Sequence, residues 1–245
     1  MVRRPARYIL PAVAVMVLVM VPAVFTQTVR KAIFVSVEQL DTAGILINPP
    51  AKNSDETKAE LSELHRLQET RSPAQVLRAQ NDDSEEDIFI FKNVLGEHFN
   101  REGLPMTALL SDHVHNDEGI ILNPAKAFFQ RPRPCHFDET IKPVCKIKED
   151  RADYAYPSGH GTTGYLEGLV LTLIVPEKRD AILGRADDYA HNRLICGVHY
   201  PSDIVASKQV AYAAIGIMMN NPQFKKELAT ARTETRAALG LQSSN

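Results

Sequence analysis

From Ser54 to about Leu239, apolar residues recur every three or four positions, in runs that mostly open at a Ser or a Pro. This pattern limits the fold more than any other feature of the chain. A 3.6-residue period lines apolar side chains along one helix face, whereas a strand needs strict alternation, and no stretch between turn signals sustains it. "SDETKAELSELHRLQ" offers Ser54 as an N-cap, acids in the first turn, and Leu61, Leu64 and Leu67 on one face. Ser72-Pro73 restarts a short helix, and "SEEDIFIFKNVLGEHF" predicts a third from Ser84. Further helices are expected around Pro105 to Val114 and from Pro124 to about Arg131. The stretches "GTTGYLEGLVLTLIV", "PEKRDAILGRADDYAHNRLIC" and "PSDIVASKQVAYAAIGIMM", and a charged C-terminal helix, complete the set. The expectation is an all-α bundle over residues 54–240, preceded by an extended segment at 26–53 and followed by a short tail at 241–245. With 44% hydrophobic and 24% charged residues the chain can bury a sizeable core. Glu167 and Lys208 interrupt the two most apolar later helices, so neither reads as a membrane span.

The N-terminus has a different composition. Arg3, Arg4 and Arg7 precede the apolar run "YILPAVAVMVLVMVPAVF", which ends close to the small residue Ala23. Residues 1–25 read as a signal peptide cleaved near Val24, or as a membrane anchor through residues 8–25. Both readings export the rest of the chain, to the periplasm or beyond. In an oxidising compartment Cys135 and Cys145, which flank "CHFDETIKPVC", could close a short disulfide; two free thiols are the alternative. Cys196 is then left as a small buried side chain. The Cys and His spacings fit no zinc site, and no metal or cofactor is expected. Net charge is −2, from 28 basic and 30 acidic residues, so no global field calls for nucleic acid. Any anion site must be a local cluster. The sequence is compatible with a homo-oligomer and does not address it further.

Three short stretches could form such a cluster. In "KAFFQRPRP", Lys126 and Arg133 lie two helical turns apart, but Pro132 and Pro134 push their preceding residues out of the α region. Arg133 is therefore expected just past the helix end, rigidly held. Basic residues favour helix C-termini through the dipole, which explains the charge but not the prolines. In "YPSGH", Ser158 and Gly159 turn into a helix whose free N–H groups would cradle an anion, with His160 beside it. In "NRLICGVHYPSD", Arg193 ends one helix and His199 lies in the turn, four residues before Asp203. That spacing lets the carboxylate accept one imidazole N–H and aim the other nitrogen outward. Asp203 is equally the first-turn acid that a helix dipole favours. Among the remaining histidines, His136 could line the mouth of a site, while His65, His98 and His191 read as surface or capping residues. His113 and His115 are two apart, on different helix faces.

Together the stretches resemble a known signature: Lys126, six residues, Arg133-Pro134; "PSGH" at 157–160; Arg193, five residues, His199, three residues, Asp203. In order and spacing this looks like the type 2 phosphatidic acid phosphatase (PAP2) superfamily, most similar to the bacterial class A non-specific acid phosphatases. The chain departs from the family at Asn192, where Ser is usual, and around "YPSGH", where class A members often read Gly-Ser before and Thr after. The resemblance implies the helical fold shared with vanadium haloperoxidases and metal-free phosphoryl transfer through a phosphohistidine. Lys126, Arg133 and Arg193 would surround the phosphate oxygens, with Ser158 and Gly159 completing the cradle. His199, oriented by Asp203, would be the nucleophile, kept neutral by the three cations; His160 would be general acid and then base. Expected ligands are small phosphomonoesters and inorganic phosphate or vanadate. Lipid phosphate phosphatase, vanadate-dependent haloperoxidase and a non-catalytic phosphate-binding protein are the rival readings.

Overall fold

The computed structural model describes residues 30–147 and 153–242. The leader expected over residues 1–25 lies outside them. The helices are α1 (Thr42–Ile45), α2 (Asp55–Thr70), α3 (Pro73–Asp83), α4 (Lys92–Leu95), α5 (Pro105–Phe129), α6 (Pro134–Phe137), α7 (Gly159–Ile174), α8 (Arg179–Ile195), α9 (Pro201–Met218) and α10 (Pro222–Ala238). Short 3-10 turns cover Ile88–Phe91 and Pro176–Lys178, and there is no β-strand among the described residues. The fold is all-α.

The expected start signals operate through their side chains. Ser54 Oγ accepts from Thr57 N–H at the head of α2, and Ser72 forms a capping box with Gln75 at the head of α3. At the centre lies α7, packed between α8 and α9 and touched by α5 and α10. Its burial on all sides explains why its sequence is apolar almost throughout. Close approach to α8 depends on Gly164, where a Cβ would sit 2.5 Å from the Tyr189 ring. No described helix is long and apolar enough to cross a membrane.

Three local expectations are corrected. No helix starts at Ser84, which instead closes α3. Beyond it Ile88, Ile90 and Phe91 are all buried, a spacing that a tight 3-10 turn satisfies, and Asp87 caps that turn through the Phe89 N–H. The helices expected at Pro105 and Pro124 are one, α5. Pro124 costs it the hydrogen bond to the Ile120 carbonyl, yet Val114, Ile121, Leu122 and Ala125 share a buried face on both sides of the proline, which keeps the helix continuous. Finally, the segment before α2, expected to be extended, carries the short helix α1 and joins the core. Phe34 and Val35 are buried, and the Asp117 carboxylate of α5 accepts the N–H groups of Ile33, Phe34 and Val35 at 2.6–2.9 Å.

Candidate active site

The three motifs converge at one cleft of about 640 Å³, lined by Lys126, Arg133, Gly159, His160, Arg193 and His199. α5 ends at Gln130 in the left-handed conformation (φ 50°), so the chain turns sharply after Lys126. Arg133 then stands in extended backbone (φ −64°, ψ 153°) at the head of α6, as a residue before proline must. Its Nη1 donates to the Val198 carbonyl and to His199 Nε2, both at 3.0 Å, and Nε and Nη2 bind the Asp153 carboxylate. Lys126 Nζ donates to the Tyr154 carbonyl at 2.9 Å, and burial together with Arg133 pulls its pKa down to about 8. Arg193 donates to Asp83 Oδ1 at 2.6 Å, and its buried Nε has no partner among the described residues.

His199 is 1% exposed. Its ring state follows from its neighbours. A guanidinium only donates, so Nε2, which receives Arg133, carries the lone pair. The proton is therefore on Nδ1, which donates to Asp203 Oδ2 at 3.3 Å. Burial first, then the charges of Arg133, Lys126 and Arg193, hold the imidazole well below its ordinary pKa. This is a neutral histidine with its basic nitrogen facing a cluster of cations.

Asp203 is fully buried, and burial raises it to about 6 against the opposing pull of Arg131. Sequence reasoning passed over Arg131. Its Nη1 binds Asp203 Oδ1 at 2.6 Å, its Nη2 binds Glu60 of α2 at 2.6 Å, and its guanidinium stacks 3.7 Å from the Tyr200 ring centroid. Other acids were missed as well. Asp83, the last residue of α3, binds Arg193 and also accepts the Lys146 N–H. Glu86 Oε1 lies 2.9 Å from His160 Nε2, a contact that lowers Glu86 to about 2. These carboxylates come from segments with no motif around them, so no sequence signal marked them. Asn192, the departure from the family pattern, donates to Asp82, which also binds Arg185 through two hydrogen bonds. It thereby anchors the end of α3 that presents Asp83.

Two expected site residues lie behind the cleft. Ser158 is buried, and its Oγ caps α7 by accepting the Gly161 N–H; Asp203 sits beneath His199. His136 is not among the lining residues. The disulfide expectation is corrected: Cys145 bridges Cys196, and Cys135 is free. Cys135 lies within α6, whereas the segment after Ile141 folds back onto the end of α8, where Val144 N–H donates to the Cys196 carbonyl. Cys145 and Cys196 are thus brought side by side. Among the described residues, no group of three or more His, Cys, Asp or Glu is placed to hold a metal ion.

The fold thus closes cationic side chains, a helix N-terminus and an Asp-backed histidine around one cleft, groups that in general attract anions. The profile of the PAP2 superfamily matches residues 117–227, which span the cleft from α5 to α10. Curated relatives include a non-specific acid phosphatase of Providencia stuartii, 34% identical over 129 residues (51% of either chain). Another non-specific acid phosphatase, of Salmonella typhi, is 30% identical over 149 residues (59% of either chain). A lipid A 1-phosphatase of Rhizobium johnstonii is 33% identical over 89 residues, 36% of either chain. The chain spans about half the length of the curated acid phosphatases it matches.

Proposed function

We propose that this protein is a metal-independent phosphatase that hydrolyses small phosphate monoesters through a phosphohistidine on His199. The observation that carries this reading is the neutral His199, whose lone pair on Nε2 is directed by Asp203 into a group of three cationic side chains. Lys126, Arg133 and Arg193 supply the charge that a magnesium ion supplies in many other phosphoryl transfers. The Gly159 N–H, at the start of α7, adds a donor that needs no deprotonation.

In the first step His199 Nε2 attacks phosphorus and the P–O bond to the alcohol breaks. Arg133 must first leave Nε2, and the incoming phosphate oxygens are better acceptors for its guanidinium. The leaving oxygen takes the proton of His160 Nε2, displacing Glu86, whose carboxylate lies 2.9 Å from that nitrogen before substrate arrives. In the second step His160 takes a proton from water as the water attacks phosphorus, the N–P bond breaks and phosphate leaves. Such acid–base assistance is worth ~10²–10⁴-fold in rate. Export to an oxidising compartment is part of the proposal, supported by the basic-apolar leader and the Cys145–Cys196 bridge.

The likeness to lipid A 1-phosphatases favours a second reading, a lipid phosphate substrate. A panel of phosphomonoesters, phosphodiesters and lipid phosphates, assayed with a strong chelator present, separates the two. Turnover of the water-soluble monoesters is expected. Turnover confined to the lipid phosphates would establish the second reading, and activity restored only by divalent ions would reject the mechanism.

A further inference from the structure

The cleft extends beyond the phosphate cradle. On α5, Glu118, Gly119, Leu122 and Asn123 continue the lining from Lys126 back to His115, and Arg30 and Glu86 face them. Unmet hydrogen-bonding capacity is concentrated here. Among the described residues, the buried side-chain polar atoms without a partner include His115 Nδ1, Glu118 Oε1 and Arg193 Nε, all three in this cleft. Arg193 Nε belongs to the phosphate site. The other two are not used by the chemistry described above.

Glu118 is 6% exposed, so an orphaned oxygen there carries a desolvation cost that a ligand would offset. Its position is informative. A Cβ on Gly159 would sit 3.6 Å from Glu118 Oε1, so the carboxyl stands beside the first residue of α7. An ester bound there would bring the carbons next to its bridging oxygen under Glu118, and the rest of the alcohol toward His115. The phosphate oxygens already have cationic donors, and a carboxyl adds nothing they need. A hydroxyl both donates and accepts, so it can pair with the carboxyl in either protonation state and with a ring nitrogen in either tautomer.

Resting on the phosphatase reading above, we infer that Glu118 and His115 form a leaving-group subsite that recognises hydroxyls on the alcohol, favouring phosphate esters of polyols and sugars over those of plain alkyl alcohols. Burial raises Glu118 to about 8, against the pull of Lys126 and Arg30 and with a push from Glu86, so below that pH its acid form adds no charge beside the phosphate.

The test compares glycerol phosphate with propyl phosphate, which differ only in hydroxyls, and uses phenyl phosphate as a reference. The parent protein should prefer glycerol phosphate in kcat/KM. Glu118→Ala and His115→Ala should each lower the glycerol-to-propyl ratio about tenfold, the worth of a hydrogen bond to a buried or charged group. Glu118→Gln, which keeps a donor and an acceptor, should recover much of it. Inhibition by inorganic phosphate reports whether each variant retains a folded cradle. A parent that turns over phenyl phosphate but shows no preference between the other two, or variants that lower all three substrates alike, would overturn the subsite and leave the phosphatase reading intact. A parent inactive on every ester would overturn both.

Discussion

Arg131 shows how much of this site depends on one side chain that does not line the cleft. It spans Asp203 and Glu60, and both of its pairs are nearly solvent-free, with side-chain exposures of 6% for Arg131, 0% for Asp203 and 10% for Glu60. Removing one partner of a buried pair leaves an uncompensated charge, typically costing ~3–5 kcal/mol. Arg131→Met should therefore lower unfolding stability by roughly that amount in denaturant titrations. It should also shift a pH profile. Asp203 must be ionised to orient His199; it is raised to about 6 by burial, and Arg131 is what restrains it. Without Arg131 the acid limb of kcat/KM should move to higher pH, and a limb that stays in place would show that Asp203 is not the group being read. Arg131 lies within the most legible stretch of the sequence, between Lys126 and Arg133, yet its role was not readable there. Its partners are Asp203 and Glu60, about seventy residues away in either direction, and only the fold supplies them.

The apolar sequence of α7 is interrupted by one acid. Glu167 is fully buried on it, accepts from Ser111 Oγ at 2.8 Å, and is pushed well above its ordinary 4.5 by burial. Above pH 4.5 the unfolded chain releases this proton while the native state keeps it, until the folded pKa is passed. The native state then binds more protons, so stability falls as pH rises through that window. Glu167→Gln removes the effect. The variant should gain on the parent by up to ~1.4 kcal/mol per pH unit across the window, measured by melting at several pH values. A gap that does not change with pH would mean the carboxyl is already ionised. Helix boundaries were legible at Ser54, Ser72 and Pro201, where local signals and packing agree. They were illegible at Pro124, whose local preference to start a helix is outweighed by the buried face that runs past it, and at Ser84, where caps and acids mimic a helix start but the apolar spacing belongs to a tighter turn. The Cys145–Cys196 bridge was hidden for the same reason. Cys135 is nearer to Cys145 in sequence, but the return of the chain onto α8 is a tertiary event. Closing a separation of 51 residues, the bridge contributes about 4 kcal/mol in the chain-entropy model. Cys145→Ser should lose most of that in thermal unfolding, and the denatured, unreduced parent should expose a single reactive thiol, Cys135.

On the scale of the whole molecule, the fold gathers residues from α3, α5, α7, α8 and the turn before α9, and gives the cationic side chains and His160 acceptors that hold them still. Asp153 holds Arg133, Asp83 holds Arg193, the Tyr154 carbonyl holds Lys126, and Glu86 holds His160. The motif residues that the fold gathers at the cleft could be read from the sequence because proline, glycine and fixed spacing mark them. The residues that keep them in position could not, because their partners are set by packing. The central claim is that His199, and no other side chain, bonds covalently to phosphorus. Rapid quenching during turnover, in alkali because a phosphohistidine is acid-labile, followed by peptide mass spectrometry, tests it most directly. A phosphoryl group on the peptide carrying His199, absent from His199→Ala and accumulating in His160→Ala, is the predicted result. Phosphoenzyme formed by His199→Ala but not by His160→Ala would contradict it, and would show that the two histidines exchange roles.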